Sequence, residues 1–240
     1  MNSSIGLERC LSFINCHLQP GKVSPHGHEE PCNLQAITIS RQAGSGGHTL
    51  AEKLAEYLHA QNPETENPWT VFDRNLVQKV LEDHHLPSRL SRFMPEDRVS
   101  EITDTMDELF GLHPPSWLLV RKVSETILHL AQLGHAILIG RGANIITGKM
   151  PNILHIRLVG SLHKRAQRLQ ELNNLTAKEA LKLAASEDLA RQRYVKHFFG
   201  KNIDDPLLYH MVLNTDLLSF DEAARMILSD VGIKTPESRT

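Results

Sequence analysis

Short apolar runs and helical stripes alternate along most of the chain. Ala36-Ile37-Thr38-Ile39-Ser40 is a β-type run, after which Leu50, Ala51, Leu54, Ala55 and Leu58 recur on one helical face with Glu52, Lys53 and Glu56 opposite. Trp69 to Phe72 is a second short strand; it stops at Asp73-Arg74, and Leu76, Val77, Val80 and Leu81 continue as a helix. Leu119, Val123, Ile127 and Leu130 lay a stripe along a helix over Ser116 to Leu133, stopped by Gly134. Ala136-Ile137-Leu138-Ile139 follows as a buried strand ending at Gly140-Arg141-Gly142-Ala143-Asn144, and Ile153 to Val159 is the next. Ser161 caps the helix after it, while Thr176 to Glu179 and Ser219 to Glu222 each fit a capping box. Met211 to Leu213 is the last strand, leading into Asn214-Thr215-Asp216.

Strands separated by helices at these intervals predict an α/β domain, its mostly parallel sheet covered on both faces. Residues 1–33 read as a flexible leader, 34–232 as the domain with a helical lid over about 161–205, and 233–240 as a tail. The polar stretch from Leu86 to Pro115, broken by Pro87 and Pro95 and helical over Glu96 to Phe110, is expected as a substrate-side flap.

Charge narrows the partners. The 26 Lys and Arg against 28 Asp and Glu leave a net charge of -2, which gives no global attraction to nucleic acid or anionic membrane. No apolar run approaches the ~20 residues of a membrane span and no signal-peptide pattern opens the chain, so a soluble cytoplasmic protein is expected. Cys10, Cys16 and Cys32 all fall in the leader. Cys16, His17, His26, His28 and Cys32 match no ordinary zinc spacing, and incidental thiols on a flexible leader are the preferred reading; no metal ligands are assigned.

The candidate chemistry lies at Arg41-Gln42-Ala43-Gly44-Ser45-Gly46-Gly47-His48-Thr49, between the first strand and its helix. That order aims backbone N–H groups and a helix dipole at one point, a cradle for phosphate over Gly44 to Thr49. In the pattern G-x-x-x-x-G-K-[ST] a lysine follows the last glycine; here Gly47 takes its place and His48 the hydroxyl position. Phosphoryl transfer needs positioning and positive charge. The substitute cations are Arg41, beside the cradle, and the arginines of the helical excursion, Arg165, Arg168 and Arg191, with Arg157 and Arg193 as further candidates. Arg165 and Arg168 beside Glu171 also fit an ion-paired helix face. Asp73, Arg74, Arg141 and Asn144 fall at strand ends, where ligands of parallel sheets gather; Asp73 also suits a helix cap.

Five segments in order resemble the cytidylate kinase-like family of P-loop nucleotide kinases: Ile39-Ser40-Arg41 with Gly44-Ser45-Gly46-Gly47, Phe72-Asp73-Arg74, Ile139-Gly140-Arg141-Gly142-Ala143-Asn144, the stretch from Asp188 through Arg191 and Tyr194 to Phe199-Gly200, and Asn214-Thr215-Asp216. The resemblance runs from about Gln35 to Val231. It implies a five-stranded parallel sheet with a lid, use of ATP and Mg2+, and phosphorylation of a small nucleotide such as CMP or dCMP. Two departures touch phosphate or acceptor contacts. Glycine replaces lysine in the family's G-S-G-K-G-T, and Gly142 stands where its G-R-D segment has aspartate. Two other readings stay open: a non-catalytic nucleotide sensor, and a kinase of another small metabolite.

Overall fold

The computed structural model of the chain describes residues 34–61, 63, 67–73 and 118–230. The expected leader and tail, Arg74 with the helix after it, and the flap over Glu96 to Phe110 lie outside the described residues.

Alternation along the central strand decides what each face of the sheet buries. In β1 (Ala36–Arg41), Ile37 and Ile39 point to one side while Ala36, Thr38 and Ser40 point to the other, as the two-residue period of a strand requires. With β2 (Thr70–Phe72), β3 (Ala136–Ile139), β4 (Ile153–Val159) and β5 (Met211–Asn214) it forms a fully parallel sheet in the order β2-β3-β1-β4-β5. Ile39 lies beside Ile139 on one flank and Ile156 on the other. Since the connections diverge around β1, the crevice for a ligand opens at its carboxyl end.

Helices α1 (Gly47–Gln61) and α6 (Phe220–Asp230) cover the isoleucine face, where Leu50, Leu54, Ala224, Ile227 and Leu228 are fully buried. On the other face α2 (Leu118–Leu133) and the short α3 (Ala143–Ile146) pack against Ala36, Phe72 and Leu138. Burying each of these large side chains contributes roughly 1.5–3 kcal/mol. Thr38 and Ser40 face this second side and need partners: Thr38 Oγ1 is 2.8 Å from His155 Nδ1, and Ser40 Oγ accepts from Arg157 Nη1 at 2.9 Å.

The remaining helices, α4 (Leu162–Asn173) and α5 (Ala177–Phe199), pack on each other as an excursion between β4 and β5. Ser161 caps α4, Thr176 and Glu179 form the expected capping box on α5, and Gly200, at φ 65, ends it. Ser219 and Glu222 bond reciprocally at the head of α6. The helix α1 begins at Gly47, three residues before its first large apolar side chain. Neither α3 nor the 3-10 turn Pro206–Leu208 was expected, because three or four residues are too few to show a period.

A candidate phosphate site at the strand ends

The loop after β1 is held by its glycines and its neighbours. Gly44 and Gly46 take φ of 72 and 82. A Cβ on Gly44 would stand 2.2 Å from the Arg165 carbonyl oxygen, and one on Gly46 would stand 2.0 Å from Phe220 Cζ. Both the left-handed backbone and the contact therefore demand glycine. Ser45 turns its amide and its hydroxyl inward to the Gln42 carbonyl, at 3.2 and 2.8 Å. The Leu50 amide donates to the Gly46 carbonyl, opening the helical ladder. The amides of Gly47, His48 and Thr49 precede that bond and form the positive end of α1. The His48 ring pairs with Glu52 at 3.2 Å on the surface.

Gly47, at the position of the usual lysine, is covered by another residue's side chain. Its missing Cβ would meet Arg41 Cγ at 3.1 Å and Arg41 Cβ and Cδ at 3.4 Å. The arginine stem thus crosses the loop, and its guanidinium ends over the next strand: Nη1 would lie 1.8 Å from a Cβ on Gly140. Two glycines, far apart in sequence, together leave the channel that this one side chain fills.

Around that guanidinium the charges converge. Burial, and after it the neighbouring Arg191, lower the Arg41 pKa to about 10, with Glu187 and Asp73 opposing and Arg141 adding to the fall. Asp73 follows β2, Arg141 follows β3 and Arg191 lies on α5, so three elements deliver charge to the end of β1. Crowding of like charges in a partly buried site favours the arrival of an anion. The segment that bears Arg141 is left-handed, with φ of 79, 56 and 74 at Gly140, Arg141 and Gly142, a backbone that the glycines adopt freely and that strains Arg141 alone. Behind it stand the α5 aromatics. The Tyr194 hydroxyl is raised in pKa by burial, against the pull of the Arg141 side chain bonded to it. Phe199 lies so close that a Cβ on Gly142 would be 2.6 Å from its Cε2.

Of the other predicted arginines, Arg165 and Arg168 sit one step back, while Arg191 stands beside Arg41. Arg165 is buried, donating from Nε to the Gly160 carbonyl at 2.8 Å and from Nη1 to the Ala43 carbonyl at 2.8 Å and Asp188 Oδ2 at 2.7 Å. Asp188 Oδ1 accepts the Ala43 amide at 2.6 Å, so this ion pair clamps the loop to the excursion. Arg168 donates to the Thr215 carbonyl and hydroxyl at 2.5 and 3.0 Å and to the Gly44 carbonyl at 3.4 Å, its guanidinium 5.6 Å from the Phe220 ring centroid. Arg191 pairs with Glu187 and, at 3.3 Å, with Asp188. Glu171 accepts from Gln167. Asn144 is buried on α3, its Nδ2 3.5 Å from the Leu208 carbonyl.

Glu187, Tyr194 and Phe199 were not singled out as site residues. For Glu187 and Tyr194 the signal is spacing, since positions 187, 191 and 194 share one helical face, whereas Phe199 lies about a third of a turn away. Arg157 is structural. From β4 it donates to Ser40 and, at 2.5 Å, to Asp204 in the segment after α5, under the Tyr209 ring. Among the described residues no group of three or more His, Cys, Asp or Glu could hold a metal ion, and no helix is long and apolar enough to cross a membrane.

Residues 36–217 match the cytidylate kinase-like family. The cytidylate kinase of Pyrobaculum aerophilum is 26% identical over 197 residues, covering 81% of this chain and 91% of the relative. That of Pyrococcus horikoshii is 25% identical over 186 residues, covering 77% and 82%. An uncharacterized protein from Eubacterium ventriosum has the same fold, with a TM-score of 0.64 at 22% identity over 83% of this chain and 99% of that one.

Proposed function

The chain belongs to the cytidylate kinase-like family, and from that premise we propose that it transfers the γ-phosphoryl group of MgATP to a pyrimidine nucleoside monophosphate, CMP or dCMP. Membership and the P-loop kinase fold support a kinase. One observation carries the reading of a working transfer site: the Arg41 side chain runs over Gly47 to the end of β3, so a cation reaches the strand ends without the usual lysine.

In this reading the amides of Gly44 to Thr49 hold the donor's phosphates. An acceptor phosphate oxygen bonds to the γ-phosphorus as the bridging oxygen leaves with ADP. Arg41 and Arg191 face the charge that spreads over the moving group, in a site where burial strengthens their field. Arg165 and Arg168 fix the loop through its carbonyls. Asp73 and Arg141, with Arg74, orient the acceptor, and closure of the lid over about 161–205 excludes water. Mg2+, when bound, neutralises charge across the donor phosphates. The Asp73 and Glu187 carboxylates near Arg41 suit its water shell, in keeping with an ion held chiefly by phosphates.

Gly142 favours a second reading of the acceptor. Phe199 fills the space beside it, so a carboxylate there would have to displace the ring, and an acceptor that needs none fits as well. Incubation with MgATP and a panel of monophosphates and other small acceptors, read by mass spectrometry, tests both. ADP with CDP or dCDP is the expected product, and Arg141→Ala should weaken acceptor use far more than ATP binding. ATP binding with no product from any acceptor overturns the kinase reading in favour of a sensor.

A further inference from the structure

The outer face of α5 carries charge that the strand-end site does not use. Arg193, Lys196 and His197, spaced to share one helical face, form a wall of an open groove of about 1030 Å³. Lys201 faces them from beyond the left-handed turn at Gly200. The groove's carboxylate, Asp204, is already engaged: Oδ1 accepts from Arg157 at 2.5 Å and Oδ2 from Gln192 at 3.1 Å. The acids nearest on α5, Glu187 and Asp188, pair with Arg191 and Arg165 on the opposite face.

Among the described residues, then, no carboxylate pairs with Arg193, Lys196 or Lys201, and the Lys196 ammonium reaches only the Gly200 carbonyl at 3.5 Å. Three lasting positive charges share one concavity in a chain whose net charge is -2. No phenylalanine, tyrosine or tryptophan lines it, so it lacks the platforms on which single-stranded nucleic acid stacks. What remains is recognition of dense negative charge by several cations at once, in a volume suited to a small molecule.

We propose that this groove is a second anion site, which binds a small polyphosphate independently of the site at the strand ends. Lys196 and Arg193 take the outer phosphates and Lys201 closes over them. The ligand is either a free polyphosphate or the triphosphate of a nucleotide, and the chemistry recognised is the same.

Calorimetric titration of the full chain with inorganic tripolyphosphate tests this. Two sites are expected. Arg193→Glu with Lys196→Glu and Lys201→Glu should abolish one of them, and Arg41→Ala should abolish or weaken the other. Circular dichroism checks that the triple variant folds, and Lys196→Glu alone should weaken the groove about tenfold. A single site lost with Arg41→Ala, or two sites surviving in the triple variant, overturns the proposal. Failure of the strand-end reading would instead appear as one site that ignores Arg41→Ala and vanishes in the triple variant. In a parallel titration with ATP, a second site that matches tripolyphosphate assigns the groove to nucleotides, and its absence assigns it to the free anion; either supports the proposal.

Discussion

Replacing Gly140 by alanine separates the seat of the Arg41 guanidinium from the backbone beneath it. Gly140 has φ +79, and the new Cβ would stand 1.8 Å from Arg41 Nη1 and 3.0 Å from its Cζ. The left-handed backbone costs about 1–2 kcal/mol for any L side chain. Because the clash is with the far end of a flexible chain, the guanidinium moves aside and the fold survives. Gly134→Ala is the matched control: φ is +83, but the nearest heavy atom to its Cβ is the Gln35 carbonyl oxygen at 3.8 Å. Both variants should lose about 1–2 kcal/mol in urea unfolding. Only Gly140→Ala should also lose transfer, by about a hundredfold, on the order of 3 kcal/mol for one displaced donor at the developing charge. Steady-state rates at saturating MgATP and the best acceptor from the panel provide the comparison. Matching rates for the two alanine variants would refute a catalytic role for the position of Arg41.

Gly44→Ala should cost about 3 kcal/mol or more and abolish ATP binding, since its Cβ would meet the Arg165 carbonyl at 2.2 Å on a left-handed residue; denaturation and calorimetry measure the two losses. Asp188→Asn leaves the Arg165 guanidinium buried without its counter-charge. It should destabilise by about 2–3 kcal/mol in chemical denaturation, and retention of full stability would show that the clamp is dispensable. Burial, with the neighbouring His210 second, holds the His155 pKa at about 4 against an ordinary 6.5. The unfolded chain therefore binds the extra proton. Stability from this group is complete above pH 6.5 and falls away as pH drops toward 4, by about 3 kcal/mol in all. Urea midpoints across that range should flatten in His155→Gln.

Most of the frame was legible because it is local. The period of Ala36 to Ser40, the stripe from Leu50 to Leu58 and the capping boxes at Thr176 and Ser219 each carry their own evidence, and the structure places them as expected. The roles of the excursion's arginines were less legible. Arg165 and Arg168 differ by three positions and look alike in sequence, yet Arg165 is buried under the loop while Arg168 reaches across to Thr215. A spacing rule says which side chains share a helical face and nothing of what that face meets. The link between Arg41, Gly47 and Gly140 was hidden for the same reason, since about a hundred residues separate two positions that β1 and β3 bring side by side.

The crossing of Arg41 over Gly47 also constrains how this loop can evolve or be engineered. A side chain introduced at 47 alone would bring its Cβ to 3.1 Å from Arg41 Cγ, so the arginine stem already lying there would have to shift, while removal of the arginine alone would take away the guanidinium that lies over Gly140. The two positions are therefore coupled, since what one can hold depends on where the other's side chain lies. A change to the familiar lysine version at 47 is expected to bring with it a move of the arginine stem at 41.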